Sequence, residues 1–122
     1  MMDRDLLIGV VGTCGTGKSE LVSRLRDDGY RVRHIAQEHS FAPKMWQVIS
    51  NPDLLIYLDV SYPETLKRKR FRWTESEFQE QLHRLRHARE NADIMINTDP
   101  LSPEEVFQAI LTGIEEFLNS KG

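Results

Sequence analysis

An α/β fold of three layers, helices on both faces of a short parallel sheet of about four strands, is predicted by three features of this 122-residue chain. Short apolar runs alternate with amphipathic stretches along its length, the rhythm of strands covered by helices. The first run, Leu6-Leu7-Ile8-Gly9-Val10-Val11, is continuous rather than alternating, as in a strand buried on both faces. A glycine-rich turn then joins that run directly to an amphipathic helix. At this length residues 1–122 are expected to form one domain, because two separate cores would not fit.

The elements follow in order. After the glycine-rich turn, residues 18–28 carry Leu21, Val22 and Leu25 on one helical face, and Gly29 supplies a stop. Residues 30–36 alternate apolar and basic and predict a second strand nearer an edge. Phe41, Met45, Trp46 and Ile49 fall at i, i+4, i+5 and i+8, which predicts a short amphipathic helix over 41–50, with Trp46 in the core or at a dimer contact. Asn51-Pro52 breaks the chain before the strand Leu54-Leu55-Ile56-Tyr57-Leu58, which ends on Asp59. Pro63 sits at a helix start, and that helix is expected to run to about Arg70. Thr74 with Glu77 makes a capping box that opens a long helix with Phe78, Leu82 and Leu85 inward. Residues 92–97 form the fourth strand. Ser102 with Glu105, and Pro103 between them, open the last helix, lined by Val106, Ile110, Ile114 and Phe117.

Composition narrows the function classes. With 39% hydrophobic and 29% charged residues the chain has the make-up of a soluble globular protein, and no apolar run approaches the roughly 20 residues of a membrane span. The start, Met1-Met2-Asp3-Arg4-Asp5, carries acids and does not read as a signal peptide. The single cysteine, Cys14, excludes an internal disulfide and fits a reducing cytoplasm. A net charge of −3 argues against nucleic acid as the main partner. The positive charge is nevertheless uneven: half of the sixteen Lys and Arg residues lie between positions 67 and 89. A solvated helix face is one reading of that cluster, phosphate stabilisation another, and a partner surface a third.

The loop Gly12-Thr13-Cys14-Gly15-Thr16-Gly17-Lys18-Ser19 matches G-x-x-x-x-G-K-[ST] in full, between a buried strand and an amphipathic helix. Its chemistry is that of a nucleoside-triphosphate cradle, with Mg-ATP the expected ligand. The glycines let successive backbone N–H groups turn toward phosphate oxygens. Lys18 brings a mobile positive charge to the β- and γ-phosphates, Ser19 a hydroxyl to Mg²⁺, and the helix starting there, with Glu20 in its first turn, a favourable dipole. Cys14 is a small residue that tolerates the turn; its thiol offers redox chemistry as the alternative.

Further segments resemble the P-loop nucleoside-monophosphate kinases, including guanylate kinases and dephospho-CoA kinases. The strand ending Ile56-Tyr57-Leu58-Asp59-Val60, with Glu64 beyond it, is similar to the segment that leads into their arginine-bearing lid, where Arg68, Arg70 and Arg72 stand. The stretch Arg84-Leu85-Arg86-His87-Ala88-Arg89-Glu90, followed by Asp93-Ile94-Met95-Ile96-Asn97-Thr98-Asp99, resembles their closing segment. The resemblance implies the P-loop NTPase fold, phosphate-binding roles for Arg68 and Arg72, and a base bordered by Asn97, Thr98, Asp99 and Pro100. Those kinases carry an acceptor-binding insert between the second and third strands of this chain. Here only residues 37–53 are available, so the acceptor site is expected to be small, borrowed from another subunit such as a homodimer partner, or gone.

A magnesium site usually draws on a carboxylate besides the loop hydroxyl. Glu38 and Asp59 are the candidates, since each follows a strand C-terminus, the edge where parallel sheets bind ligands. If the second strand neighbours the first, Glu38 faces the loop, which favours it over Asp59. An exposed carboxylate or a helix cap is the bland alternative for both. His39 is a candidate base, or a surface histidine. Trp73 is a lid or stacking residue, or helix packing.

Overall fold

The computed structural model describes residues 5–68 and 72–121. Residues 1–4, Lys69 and the expected helix end and lid arginine at Arg70 lie outside that set. The chain is α/β, with a four-stranded, all-parallel sheet. Its strands are β1 (Leu7–Gly12), β2 (Arg31–His34), β3 (Leu54–Asp59) and β4 (Ile94–Asn97), in the order β2-β1-β3-β4. The helices are α1 (Lys18–Asp27), α2 (Tyr62–Arg68), α3 (Glu75–Arg84), α4 (Arg86–Glu90) and α5 (Pro103–Lys121). Among the described residues no helix is long and apolar enough to cross a membrane.

Strand position explains strand composition. The central pair β1 and β3 is buried almost throughout and reads as continuous apolar sequence, whereas β2 buries only Val32 and β4 alternates, as edges with one wet face do. Side chains then divide by the two-residue period of a strand. Ile8, Val10, Leu54, Ile56 and Leu58 pack with Leu21, Val22 and Leu25 of α1 and Val106, Ile110 and Ile114 of α5. Val11, Leu55 and Tyr57 pack on the opposite side with Ile35, Trp46, Leu85 and Ala88. The layout is compatible with helix–sheet–helix layering.

Both expected capping boxes form: Glu77 N–H donates to Thr74 Oγ1 and Thr74 N–H to Glu77 Oε1, and Ser102 pairs with Glu105 in the same reciprocal way. The long helix from Thr74 is interrupted at Leu85, which separates α3 from α4.

The helix expected over 41–50 needs correction. Residues Trp46–Ser50 form one π-helical turn, and only Trp46 is buried; Phe41 is 82% exposed and Ile49 74%. The cause is Gln37, fully buried, whose amide donates to the carbonyls of Ala42 and Arg84 and accepts from the Trp46 N–H. Three bonds to one side chain hold the segment in a loop that an inward helical face would break. Trp46 is a core residue, its indole N–H donating to His87 Nδ1 at 3.0 Å.

Candidate functional site

Because all four strands are parallel, their C-terminal ends share one edge, where the sequence places the glycine-rich loop after Gly12 and polar residues at the other ends: Glu38 just past β2, Asp59, and Asn97 with Thr98. Open parallel sheets bind ligands at this edge.

The glycine-rich loop turns there under close constraint. Gly15 and Gly17 adopt φ of 93° and 87°, the left-handed region that favours glycine. A Cβ on Gly12 would stand 2.6 Å from the Leu58 carbonyl oxygen, so the loop leaves β1 against the backbone of β3. Thr16 Oγ1 donates to the Thr13 carbonyl at 2.9 Å and closes the turn. Lys18 begins α1 yet folds back, its Nζ donating to the carbonyls of Gly12 at 2.8 Å and Thr13 at 2.9 Å. Ser19 and Glu20 are exposed at the start of α1, where the Glu20 carboxylate accepts from Arg24 Nε.

Glu38 meets this lysine. β2 neighbours β1, so the turn Gln37–His39 brings the Glu38 carboxylate to 2.9 Å from Lys18 Nζ, with the lysine 7% and the glutamate 4% exposed. The pair uses only one carboxylate oxygen. Glu38 Oε1 and Thr13 Oγ1 are buried with no hydrogen-bond partner among the described residues. Asp59 is differently engaged: Oδ1 accepts from the Val60 N–H and Oδ2 stands 3.8 Å from Arg89. Of the two candidate carboxylates, Glu38 is the one that reaches the loop lysine. His34 lies on the same side, and burial first, then the charge of Lys18, hold its imidazole below the ordinary histidine range.

Two cavities flank the loop. One, of about 470 Å³, is lined by Cys14, Lys18, Ser19, Glu20, His34 and Glu38, most of them polar or charged residues. The other, of about 300 Å³, is mainly apolar; Leu21, Leu101, Pro103 and Val106 line it with Arg68 and Thr98. Arg68 clamps the second cavity: its guanidinium donates to the Gly15 carbonyl, to Thr98 Oγ1 and to the Thr98 carbonyl, which joins the loop to the turn after β4. Asn97 and Pro100 do not line it; Asn97 Oδ1 instead accepts from the Asp99 N–H. The turn after β4 thus contributes Thr98 and, one residue past Pro100, Leu101. Arg72 is exposed and lines neither cavity. Trp73 is buried, its indole bonded to Thr65 Oγ1 and its ring edge-on to Phe78, so it packs helices together.

One residue absent from the sequence-based set shapes the loop. Gln81 of α3 accepts from the Cys14 N–H at 2.9 Å and donates to Cys14 Sγ at 3.3 Å. It falls three residues after Phe78 on the inward stripe of α3, and a polar residue on an apolar stripe was the available signal. Leu101 lies in the turn before α5 and Val106 in the first turns of α5, and nothing local in the sequence marks either as a cavity residue. His39 is exposed, with Nε2 at 4.0 Å from Cys14 Sγ and 3.8 Å from Glu38 Oε2. No protein-family model matches the chain, and no curated protein matches it.

Proposed function

We propose that the protein binds a nucleoside triphosphate with Mg²⁺, ATP being the leading choice, and transfers its γ-phosphate to a small acceptor as a minimal phosphotransferase of the nucleotide-kinase type on a P-loop NTPase fold. The observation that carries this reading is the buried Lys18, held on the loop carbonyls beside Glu38 in a cavity that flanks the loop, with a mainly apolar cavity also lined by the loop. A cation kept at the ligand edge of a parallel sheet, under a helix N-terminus, is suited to an anionic ligand. The residues present fit the group: Ser19 and the half-satisfied Glu38 would hold Mg²⁺, and Lys18 the phosphates. Bound there, the metal supplies charge neutralisation at the phosphates. The chain itself supplies position. The apolar cavity takes a base, and Arg68 fixes its width by tying Gly15 to Thr98.

Calorimetric titration of the full chain with MgATP and MgGTP tests binding. Saturable binding is expected, weakened at least about tenfold by Lys18→Ala because the phosphates lose their buried cation; affinity indifferent to Lys18 would end the proposal. ADP formation with a panel of hydroxyl and phosphate acceptors tests transfer.

A second reading, a non-catalytic or slowly hydrolysing module that works through a partner, is favoured by one observation. Phe41, Val48 and Ile49 are exposed around an apolar depression lined by Ala42, Pro43, Met45, Val48 and Ile49, in the segment where an acceptor-binding insert is missing. It predicts tight MgATP binding with no ADP formed across the acceptor panel.

A further inference from the structure

We propose that Cys14, Glu38 and His39 form a binding site for a thiophilic divalent cation, with Zn²⁺ as the ion of choice. One ligand atom from each lies within 4.8 Å of the other two. Cys14 Sγ is 4.0 Å from His39 Nε2, which is 3.8 Å from Glu38 Oε2. Tetrahedral zinc, with bonds of about 2.3 Å to sulfur and about 2.0–2.2 Å to nitrogen and oxygen, sets its donors roughly 3.4–3.6 Å apart. The triangle therefore needs to close by a few tenths of an ångström on two edges and by at most about 1.2–1.4 Å on the third. His39, whose side chain is 59% exposed, can supply that movement by rotation.

The other two donors are already held. Gln81 fixes Cys14 through both its N–H and its sulfur, and an amide N–H donating to the sulfur is the outer-sphere support that a metal-bound thiolate receives. Glu38 is buried; Oε2, the oxygen 3.8 Å from His39 Nε2, is tied to Lys18, and Oε1 of the same carboxylate has no partner among the described residues, so the group has accepting capacity left unfilled. A buried carboxylate oxygen in that state is costly unless something binds it.

Donor chemistry selects the ion. Thiolate with imidazole and one carboxylate suits Zn²⁺ and disfavours Mg²⁺, which takes oxygen ligands. On binding, the thiol proton is lost to solvent and the S–H bond is replaced by S–Zn. Thiolate and carboxylate together then neutralise the ion, which offsets the repulsion from Lys18 Nζ at 2.9 Å from Glu38. Three protein donors leave the fourth position to solvent.

The test uses the reduced, tag-free full chain without nucleotide, titrated with Co²⁺ as the spectroscopic probe and then with Zn²⁺. A thiolate-to-cobalt charge-transfer band that saturates at one equivalent and is abolished by Zn²⁺ is expected. Cys14→Ser removes the band. His39→Ala and Glu38→Gln each weaken Co²⁺ binding by about tenfold or more, whereas His83→Ala, an exposed histidine outside the three-donor group, leaves it unchanged. His39→Ala, at an exposed position, keeps the test decisive if Glu38→Gln fails to fold. Absence of the band at stoichiometric Co²⁺, or equal affinity in His39→Ala and the wild type, overturns the site and leaves an isolated thiol. The proposal does not rest on nucleotide binding, and with no nucleotide present its failure leaves that reading untouched.

Discussion

Removing either partner of the Lys18–Glu38 pair should have unequal costs, and the inequality follows from hydrogen-bond counts. Lys18 Nζ has three acceptors within reach: Gly12 and Thr13 carbonyl oxygens at 2.8 and 2.9 Å and Glu38 Oε2 at 2.9 Å. Glu38 has Lys18 at Oε2 and nothing at Oε1. Lys18→Met keeps the aliphatic volume but strands a buried carboxylate, a situation that costs about 3–5 kcal/mol. Glu38→Gln leaves the lysine on two carbonyls and keeps an amide oxygen in place, so its cost is about 1 kcal/mol. The gap of at least about 2 kcal/mol corresponds to roughly 1 M or more between urea midpoints at pH 7, given slopes of about 1–2 kcal/mol/M for a chain of this size. The double variant should be more stable than the sum of the singles implies, since no carboxylate is stranded in it. Equal costs, or the larger cost in Glu38→Gln, would refute this account of the pair.

Three further predictions concern stability. Burial, reinforced by the charge of Asp59, pushes the Tyr57 phenol up to about 12 from its ordinary 10.0. The folded state therefore holds this proton more tightly than the unfolded chain. That stability is fully present below pH 10 and lost as pH rises through 12, by about 3 kcal/mol; urea midpoints at pH 9 and 11.5 should fall further in the wild type than in Tyr57→Phe, and parallel losses would contradict it. Gly12→Ala drives a Cβ to 2.6 Å from the backbone oxygen of Leu58, which cannot swing aside as a side chain would, and a loss of about 3 kcal/mol is expected in denaturant melts. Thr74→Ala removes one arm of the capping box of α3 and should cost about 1 kcal/mol, a drop of roughly 4 °C in Tm; an unchanged melt would mean that the cap contributes nothing.

What the sequence revealed follows the range of the interactions involved. The strands, the loop and both capping boxes were legible because each depends on residues within about five positions: the run from Leu6 to Val11, the glycines at 12, 15 and 17, Thr74 with Glu77. Glu38 was preferred over Asp59 on strand order, and β2 does lie beside β1. The failure over 41–50 came from a long-range polar contact. Spacing of Phe41, Met45 and Ile49 mimics a helical face, but Gln37 bonds to Ala42, Trp46 and Arg84 and pulls the segment into a loop closed by Asn51 at φ 40°. The make-up of the apolar cavity was not legible for the same reason: Arg68 reaches 30 residues along the chain to Thr98, and Leu101 and Val106 come from the turn before α5 and from α5 itself. Cys14 and His39 are 25 residues apart, and no local pattern joins them.

Glu38 links the two proposed ligands. The carboxylate assigned to Mg²⁺ beside the nucleotide is the one assigned to Zn²⁺ beside Cys14, and it is a single side chain held at one place by Lys18. If both assignments hold, nucleotide and thiophilic metal compete. Linkage requires the effect to be reciprocal: the factor by which Zn²⁺ weakens MgATP binding equals the factor by which MgATP weakens Zn²⁺ binding. Free nucleotide also chelates metal, so the comparison needs a metal buffer that fixes free Co²⁺. The control is Lys18→Ala, which lacks the cation proposed to bind the phosphates while keeping the three proposed metal donors. Saturating MgATP should diminish the cobalt band of the wild type and leave that of Lys18→Ala in place. Bands that persist equally in both proteins would show that the carboxylate serves only one of the two ligands.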